Sequence, residues 1–394
     1  MSFVDEARKL LRENIRDYAM FVALFVIAGF FAITTDGLFI SSRNIVNLVN
    51  QSGYIAVLAI GMTLVIVIRH IDLSVGFLAG FLGAVAAIAM VEWELGALGA
   101  IAVVLALGIL AGLVNSTLVA VFGIPSFVAT LAGWLGYRGA LQLATRATGT
   151  IIIPSDAFNA IGNGFIPDIP PIGFLPEMHK VTLLLGLLAI VIFVTSQVAS
   201  RNRQRNQGLE VLSTPLFILK IAFVSALIGG LAWLLAGYRG LSWTAVIIIV
   251  VALIYHFITT RTVLGRHIYA VGGNPEAAEL SGISVKRITH VVFASMGMLA
   301  ALSGILYASR LRSATTTAGN LFELDAIAAA FVGGVSAAGG VGTVFGSLIG
   351  ALIMTSLTSG MNLMQIDISY QYIARALVLA IAVVFDVATR RARR

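Results

Sequence analysis

Long apolar runs separated by short polar segments extend over nearly the whole chain. A membrane-spanning helix needs about 20 mainly apolar residues to cross ~30 Å of hydrocarbon. The pattern contains twelve such runs, and it predicts an all-α polytopic membrane protein in which residues 1–394 form a single transmembrane domain. The predicted spans lie near residues 18–35, 53–69, 74–91, 97–121, 127–145, 181–199, 216–236, 242–258, 291–307, 324–340, 343–359 and 371–388. Three glycines separate 324–340 from 343–359, and if this pair is re-entrant the total is ten.

Composition supports a lipid environment. The 394 residues are 59% hydrophobic and 11% charged, whereas a soluble protein would carry roughly 25% charged residues. The 40 glycines lie inside apolar runs, where small residues allow membrane helices to approach closely. The absence of cysteine excludes disulfides and thiolate metal sites.

Basic residues lie in four clusters between the apolar runs and at the chain ends. All four clusters fall on one side if twelve spans alternate, and the positive-inside rule makes that side the cytoplasm. We therefore expect both termini to be cytoplasmic, and the net charge of +7 to reflect topology rather than a nucleic-acid partner. The clusters contain Arg8, Lys9, Arg12 and Arg16; Arg201, Arg203 and Arg205; Arg261, Arg266, Lys286 and Arg287; and Arg390, Arg391, Arg393 and Arg394.

Residues 147–180 form the longest predicted extracytoplasmic segment. They contain five of the eight prolines, which fix φ and remove a backbone donor, so the pattern predicts an ordered, non-helical loop. The loop could lie over the membrane face, meet a partner or act as a plain connector. Its prolines are Pro154, Pro167, Pro170, Pro171 and Pro176.

Residues 259–290 form a predicted cytoplasmic loop that contains a short helix. Asn274 is a good N-cap, Pro275 suits the first helical position, and Gly282 can supply a left-handed stop. Because so short a helix is marginal alone, we expect it to dock a cytoplasmic protein or to pack on its own membrane domain. The candidate docking residues are Asn274, Pro275, Glu276, Ala277, Ala278, Glu279, Leu280 and Gly282.

The segment RHIDLSVG, residues 69–76, interrupts the apolar pattern with charge. Asp72, Ser74 and Gly76 can cap and break a helix. One interpretation is a helix break that lines a transport path, since ionisable residues within membranes usually face a partner or a cavity. The other is a short cytoplasmic turn that Asp72 caps and Arg69 anchors.

Residues 323–342 are unusually rich in glycine, and Gly333 and Gly334 are adjacent. Either close helix packing or a pliable segment that moves during transport would explain this. Glu323 and Asp325 are close in sequence to Arg310 and Arg312, which predicts a structural ion-pair cluster. For Arg375 and Asp386 in the last span, we expect pairing or snorkelling.

The chain contains no P-loop, HExxH or GxSxG motif. Its five histidines have no metal-ligand spacing. These observations predict a protein that is not an enzyme and that has no metal or cofactor.

Five stretches together resemble a known family. The chain resembles the permeases of bacterial ABC importers for monosaccharides, the ribose, xylose and multiple-sugar group within the branched-chain amino acid permease superfamily. The stretches follow the family order over nearly the whole chain. They are Ser42–Leu48, Gly61–Gly76, Ile124–Gly133, Gly265–Gly282 and Glu323–Gly350.

The resemblance implies a subunit of the bacterial inner membrane that translocates a monosaccharide, xylose or a related pentose or aldose. It implies a second permease subunit in a homodimer, separate cytoplasmic ATPase subunits and a periplasmic sugar-binding protein. It assigns residues 274–282 to the ATPase-coupling loop and residues 72–76 to a signature near the pathway. Two spans, 181–199 and 216–236, look additional to ribose-type members, and Arg69 departs from the signature.

The alternative is an ion-coupled secondary transporter or channel. Such a protein needs ionisable residues paired at mid-membrane and no docking loop. The candidates, Asp72, Arg138 and Arg375, are widely scattered in the sequence.

Overall fold

The structure is a computed structural model that describes residues 15–170, 175–209 and 211–391. Within these ranges the chain forms fifteen α-helices, one 3-10 turn and two short strands. Several basic residues that the topology prediction used, and Pro171, lie outside the described residues. These basic residues are Arg8, Lys9, Arg12, Arg393 and Arg394. Arg16, Arg390 and Arg391 lie within the described ranges, but only their backbone is described.

The elements follow one another in a single helical bundle. They are α1 (Ile15–Thr34), the 3-10 turn Leu38–Ile40, α2 (Ser42–Val67), α3 (Val75–Val91), α4 (Ala97–Ala120), α5 (Ser126–Thr145), β1 (Thr150–Ile152), α6 (Asp156–Asn163), α7 (Lys180–Asn206), α8 (Thr214–Ala236), α9 (Trp243–Arg261), α10 (Val263–Gly273), α11 (Pro275–Leu280), α12 (Val285–Leu311), β2 (Ser313–Thr315), α13 (Phe322–Val332), α14 (Val344–Leu363) and α15 (Ile368–Arg391).

Eight of the described helices are long and apolar enough to cross a membrane, namely α2, α4, α7, α8, α9, α12, α14 and α15. Two more apolar helices, Ala19–Thr34 within α1 and Val75–Val91, are shorter. The prediction of a multi-pass helical membrane protein is therefore confirmed. The number of crossings and the side on which the termini lie stay predictions.

The helices differ sharply in how deeply they are buried. The most apolar stretch of α2 is 83% buried, and those of α12 and α14 are 67% buried, whereas those of α7 and α8 are only 6% buried. The core of the bundle is therefore built from α2, α12 and α14, with α3 and α4 packed on α12. The α7–α8 pair packs mainly on itself at the periphery.

Close backbone contact joins the helices around α12. A Cβ at Gly297 of α12 would lie 2.0 Å from the carbonyl oxygen of Gly108 on α4, and one at Gly304 would lie 2.2 Å from that of Ala79 on α3. Only glycine permits these distances. Gly297 and Gly304 thus act as close-packing positions, the role that the sequence predicts for glycines inside apolar runs.

The two ends of the bundle have different structures. At one end, here called the α11 end, the amide of Gly340 donates to the Val67 carbonyl at 2.9 Å, and the Tyr269 hydroxyl donates to the Gly342 carbonyl at 2.6 Å. At the other, here called the strand end, β1 pairs antiparallel with β2 and α6 packs on α12.

The predicted span 324–340 is wrong as a continuous helix. The helix α13 covers Phe322–Val332 only, and the following residues adopt left-handed conformations at Gly334, Gly339 and Gly340 (φ +87°, +82° and +70°). These values are incompatible with a right-handed helix. The 11-residue helix α13 therefore starts at the strand end and is followed by a non-helical segment. That segment reaches the α11 end, where α14 begins.

The prediction of a non-helical loop over 147–180 is also wrong in part. Strand β1 and the eight-residue helix α6 lie within it. Ser155 caps α6 by accepting a hydrogen bond from the amide of Phe158 at 3.3 Å. Proline disrupts only the helix interior in which it stands, and no proline lies between Pro154 and Pro167.

Candidate functional site

A cavity of about 290 Å³ lies at the strand end, between α2, α12, α13, α14 and α15. Its volume is near the lower limit of the ~300–1,000 Å³ typical of small-molecule sites. Leu311 and Asn362 are exposed at its wall. The lining residues are Gln51, Tyr54, Ile55, Tyr307, Arg310, Leu311, Asp325, Met354, Thr355, Thr358, Asn362 and Arg375.

Two tyrosine rings form the aromatic part of this cavity. The rings of Tyr54 and Tyr307 lie 5.1 Å apart at 72°, and each ring also contacts Phe322, at 4.7 and 5.0 Å. The contacts of Tyr307 with Tyr54 and Phe322 are edge-to-face and the Tyr54–Phe322 contact is tilted. Such contacts are typical of stable aromatic clusters. The cluster offers a rigid apolar surface beside polar groups.

An ion pair connects two helices of the cavity wall. Both oxygens of Asp325 on α13 accept hydrogen bonds from Arg375 Nη1 at 3.1 Å, and Arg375 Nη2 donates to Thr358 Oγ1 at 2.8 Å. The predicted pairing of Arg375 is thus confirmed, and the Asp325 side chain is only 20% exposed. The ion pair holds α13, α14 and α15 together.

The predicted ion-pair cluster of Glu323 and Asp325 with Arg310 and Arg312 is wrong. Asp325 faces α15, and Glu323 accepts a hydrogen bond from Trp134 Nε1 at 2.9 Å instead. In the described part of the chain, the Arg310 guanidinium forms no ion pair or hydrogen bond. Its five N–H groups are therefore donors that a polar molecule in the cavity could use.

The break between α2 and α3 lies away from this cavity. Asp72 is 2% exposed, and its Oδ1 accepts from the amide and hydroxyl of Ser74 at 2.9 and 2.6 Å. Asn115 Nδ2 donates to Ser74 Oγ at 2.8 Å, which ties the break to α4. The helix is broken over residues 68–74, and Asp72 stabilises the turn.

Gly76 was expected to contribute to this break, but it lies inside α3. A Cβ at Gly76 would lie 2.0 Å from Glu323 Oε2 and 2.6 Å from the Gly319 carbonyl oxygen. The residue therefore permits α3 to contact the segment that leads into α13.

Gly333 and Gly334 stand at the end of α13. A Cβ at Gly333 would lie 2.3 Å from the Gly346 carbonyl oxygen on α14. Close helix packing accounts for Gly333, and the left-handed φ of +87° accounts for Gly334. Neither residue lines the cavity.

The short helix α11 has the ends that the sequence predicts. Asn274 Oδ1 accepts from the amide of Ala277 at 3.1 Å, Pro275 opens the helix, and Gly282 has φ +82°. Ala278 is buried against the bundle at 4% exposure, whereas Leu280 is 91% exposed. Glu276, Ala277 and Glu279 are also exposed, so α11 presents an acidic and apolar surface away from the bundle.

The family model of the branched-chain amino acid transport system permease component matches residues 44–383. The chain belongs to this family. A search of the solved structures returns no significant match.

The permease is similar to curated proteins over almost its whole length. It is 40% identical to the xylose transport system permease protein XylH of Haemophilus influenzae, over 97% of this chain and 99% of that protein. It is 41% identical to XylH of Escherichia coli K12, over 96% and 93% of the two chains. It is 36% identical to the ribose import permease protein RbsC of the same strain, over 88% and 87%.

The residues that line the cavity of the permease were largely missed from its sequence. Gln51 and Tyr54 on α2, and Tyr307 and Arg310 on α12, are each three positions apart, a spacing that places side chains on one helix face. A polar and an aromatic side chain on the same face of an apolar helix could have indicated a cavity-lining position. That the two pairs lie on facing helices required the tertiary structure.

Proposed function

We propose that the permease is the membrane-spanning subunit of an ABC importer that translocates xylose or a closely related pentose. A periplasmic binding protein delivers the sugar to the permease. Separate ATPase subunits drive the transport, and the permease itself carries no catalytic site.

The observation that carries this proposal is the similarity to XylH. Identities of 40–41% extend over more than nine-tenths of this chain and of both xylose permeases, whereas the identity to RbsC is lower and covers less of the chain. A pentose is therefore favoured over other substrates of the family, and xylose over ribose.

The chemistry of the cavity suits a polyhydroxylated ligand. Sugar hydroxyls need both donors and acceptors, and the wall supplies Gln51, Asn362 and Arg310 for these roles. The C–H face of a sugar can pack on Tyr54 or Tyr307, whose hydroxyls add further polar groups. The charges of Asp325 and Arg375 cancel locally, and the Arg310 guanidinium is left to donate hydrogen bonds to sugar hydroxyls.

We propose twelve crossings, with the segment 322–343 counted as one crossing made of a half-helix and a non-helical stretch. Alternation then places the α11 end in the cytoplasm and the strand end in the periplasm of a bacterial inner membrane. The basic residues at the C-terminal ends of α7 and α9 and at the N-terminal end of α12 support this orientation. The cavity then opens toward the side from which sugar arrives.

The exposed face of α11 is the proposed contact with the ATPase. An exposed leucine flanked by Glu276 and Glu279 suits a groove with an apolar floor and basic rim. At the other end, residues 147–180, with α6 and β1, are the proposed contact with the binding protein. The permease is expected to act as a homodimer, so that each copy contacts one ATPase subunit.

Uptake into proteoliposomes tests the proposal. The permease, the ATPase and the binding protein encoded with it are reconstituted with ATP inside, and labelled xylose, ribose and leucine are supplied outside with the binding protein. We expect ATP-dependent xylose uptake, weaker ribose uptake and no leucine uptake. Leucine uptake, or xylose uptake driven by a proton gradient without ATP, would contradict the proposal.

A further inference from the structure

Arg69 adopts a backbone conformation that normally favours glycine. It follows the end of α2 and has φ +66°, a left-handed value that is unfavourable for any residue with a Cβ. A residue keeps such an unfavourable backbone conformation only when the contacts around it hold it there. The contacts of the Arg69 side chain supply that constraint.

The guanidinium of Arg69 binds the C-terminal end of α10. Its Nε donates to the Gly272 carbonyl at 2.7 Å, and its Nη2 donates to the Gly273 carbonyl. These carbonyls belong to the last residues of α10, where no intrahelical donor is left for them. A cation at this position also suits the negative end of the helix dipole.

The next residue after these carbonyls is Asn274, the N-cap of α11. Arg69 therefore holds the joint between α10 and the docking helix. The backbones of α10 and α2 are also in close contact at this joint, since a Cβ at Gly272 would lie 1.9 Å from the Val67 carbonyl oxygen. The amide of Gly340 also donates to that carbonyl.

The other side of the α2–α3 break is bonded to the helices behind it. The amide of Leu73 donates to Thr130 Oγ1 on α5 at 3.0 Å, and Asn115 on α4 donates to Ser74. Hydrogen bonds at the two ends of the segment 69–74 thus link the base of α11, through the backbone of that segment, to α4 and α5. Arg69 is the member that joins this set to α10.

We propose that Arg69 is a positioning residue that couples the docking helix α11 to the α2–α3 break, so that displacement of α11 by the ATPase moves α3 and the helices bonded to the break. This rests on the proposed ABC function. The guanidinium suits the role because its planar fork binds two adjacent carbonyls at once, whereas a lysine ammonium provides a single point charge on a flexible stem.

The test uses the full transporter reconstituted with its ATPase and binding protein. Arg69→Gly removes the side chain and also relieves the left-handed strain, so the fold is expected to be retained. We expect normal assembly and basal ATP hydrolysis, at least a tenfold loss of stimulation by sugar-loaded binding protein, and more ATP consumed per sugar imported. Arg69→Lys should show a smaller loss.

Glu94→Gly is the matched control, because Glu94 also has a left-handed φ of +54° and lies in an exposed turn at the strand end. It should leave the ratio of ATP to sugar unchanged. An unchanged ratio in Arg69→Gly overturns the proposal. So does failure of Arg69→Gly to assemble, since Arg69 would then be required for folding or docking rather than for coupling. Failure of the wild-type protein to transport sugar with ATP would instead contradict the proposed function.

Discussion

At the scale of single residues, the contact between α3 and the segment before α13 depends on the missing side chain at Gly76. The Glu323 carboxylate is fixed there by Trp134, and the Gly319 carbonyl is backbone. The Gly319 carbonyl cannot withdraw without moving the backbone around it. The close approach therefore makes position 76 intolerant of even a methyl group.

We expect Gly76→Ala to destabilise the protein by about 1–3 kcal/mol, the usual cost of forcing extra atoms into a packed interior. Thermal unfolding of the detergent-solubilised protein, followed by size-exclusion chromatography, measures this. Gly230→Ala on α8 is the control, because no atom lies within 4 Å of its added Cβ, and it should be neutral or slightly stabilising. Equal melting temperatures for both variants would contradict the packing argument.

The ion pair between Asp325 and Arg375 is a second feature at this scale, since removing one partner leaves the other charge mostly buried and without its counter-charge. We expect Asp325→Asn and Arg375→Gln each to lower thermal stability, and the double variant to lose less than their sum. A coupling energy of about 0.5–3 kcal/mol is typical of contacting residues. A double-mutant cycle of melting temperatures checks this, and strict additivity would show that the pair contributes nothing.

At the scale of elements, α11 is short, capped at both ends and exposed on its outer face. Because Leu280 has almost no contact with its own chain, Leu280→Asp should leave insertion and thermal stability unchanged. The substitution places a charge in a proposed apolar contact, so co-purification with the ATPase should fall at least tenfold.

The control for this prediction is Leu98→Asp, since Leu98 is 84% exposed at the start of α4 on the opposite end of the bundle. It should retain the ATPase. Normal recovery of the ATPase with Leu280→Asp would exclude the α11 face as the docking surface.

Elements were predictable from the sequence where a local pattern determines them. The apolar runs located the long helices, and most of their ends to within four residues, and the capping residues located α11. The end of α7 and the start of α12 extend seven and six residues beyond the predicted spans, because these turns are polar. The start of α2 was missed because its first turns, from Ser42 to Asn50, are too polar to read as a span. The end of α13 was missed because glycine density does not reveal where left-handed residues interrupt a helix.

The candidate site was harder to predict than the elements, because a cavity is formed by helices distant in sequence. Asp325 pairs with Arg375, 50 positions away, rather than with the nearby Arg310. Local signals placed Asn274 and Asp72 in turns correctly. They could not show that Tyr54 and Tyr307 meet across α2 and α12.

At the scale of the whole molecule, the proposed topology places α11 and the loop after α3 on opposite sides of the membrane. The chain contains no cysteine, so single substitutions can report on sidedness without further engineering. Ser281 and Glu94 are exposed at the two ends of the bundle. They are suitable positions for a labelling reagent.

We expect a membrane-impermeant maleimide to label Glu94→Cys in intact spheroplasts and Ser281→Cys only after permeabilisation, with inverted vesicles giving the opposite result. Labelling of both sites from the same side would contradict the twelve-crossing topology. The unsubstituted protein, which has no thiol, serves as the blank.

The peripheral α7–α8 pair has a consequence for how this architecture can vary. The two helices contact each other closely at Gly186 and Ala232 and bury little against the core. A hairpin enters and leaves on the same face, so its gain or loss changes the number of crossings by two. Every segment after it keeps its sidedness, so a chain without the hairpin would keep α11 and α15 on the same sides of the membrane as this one.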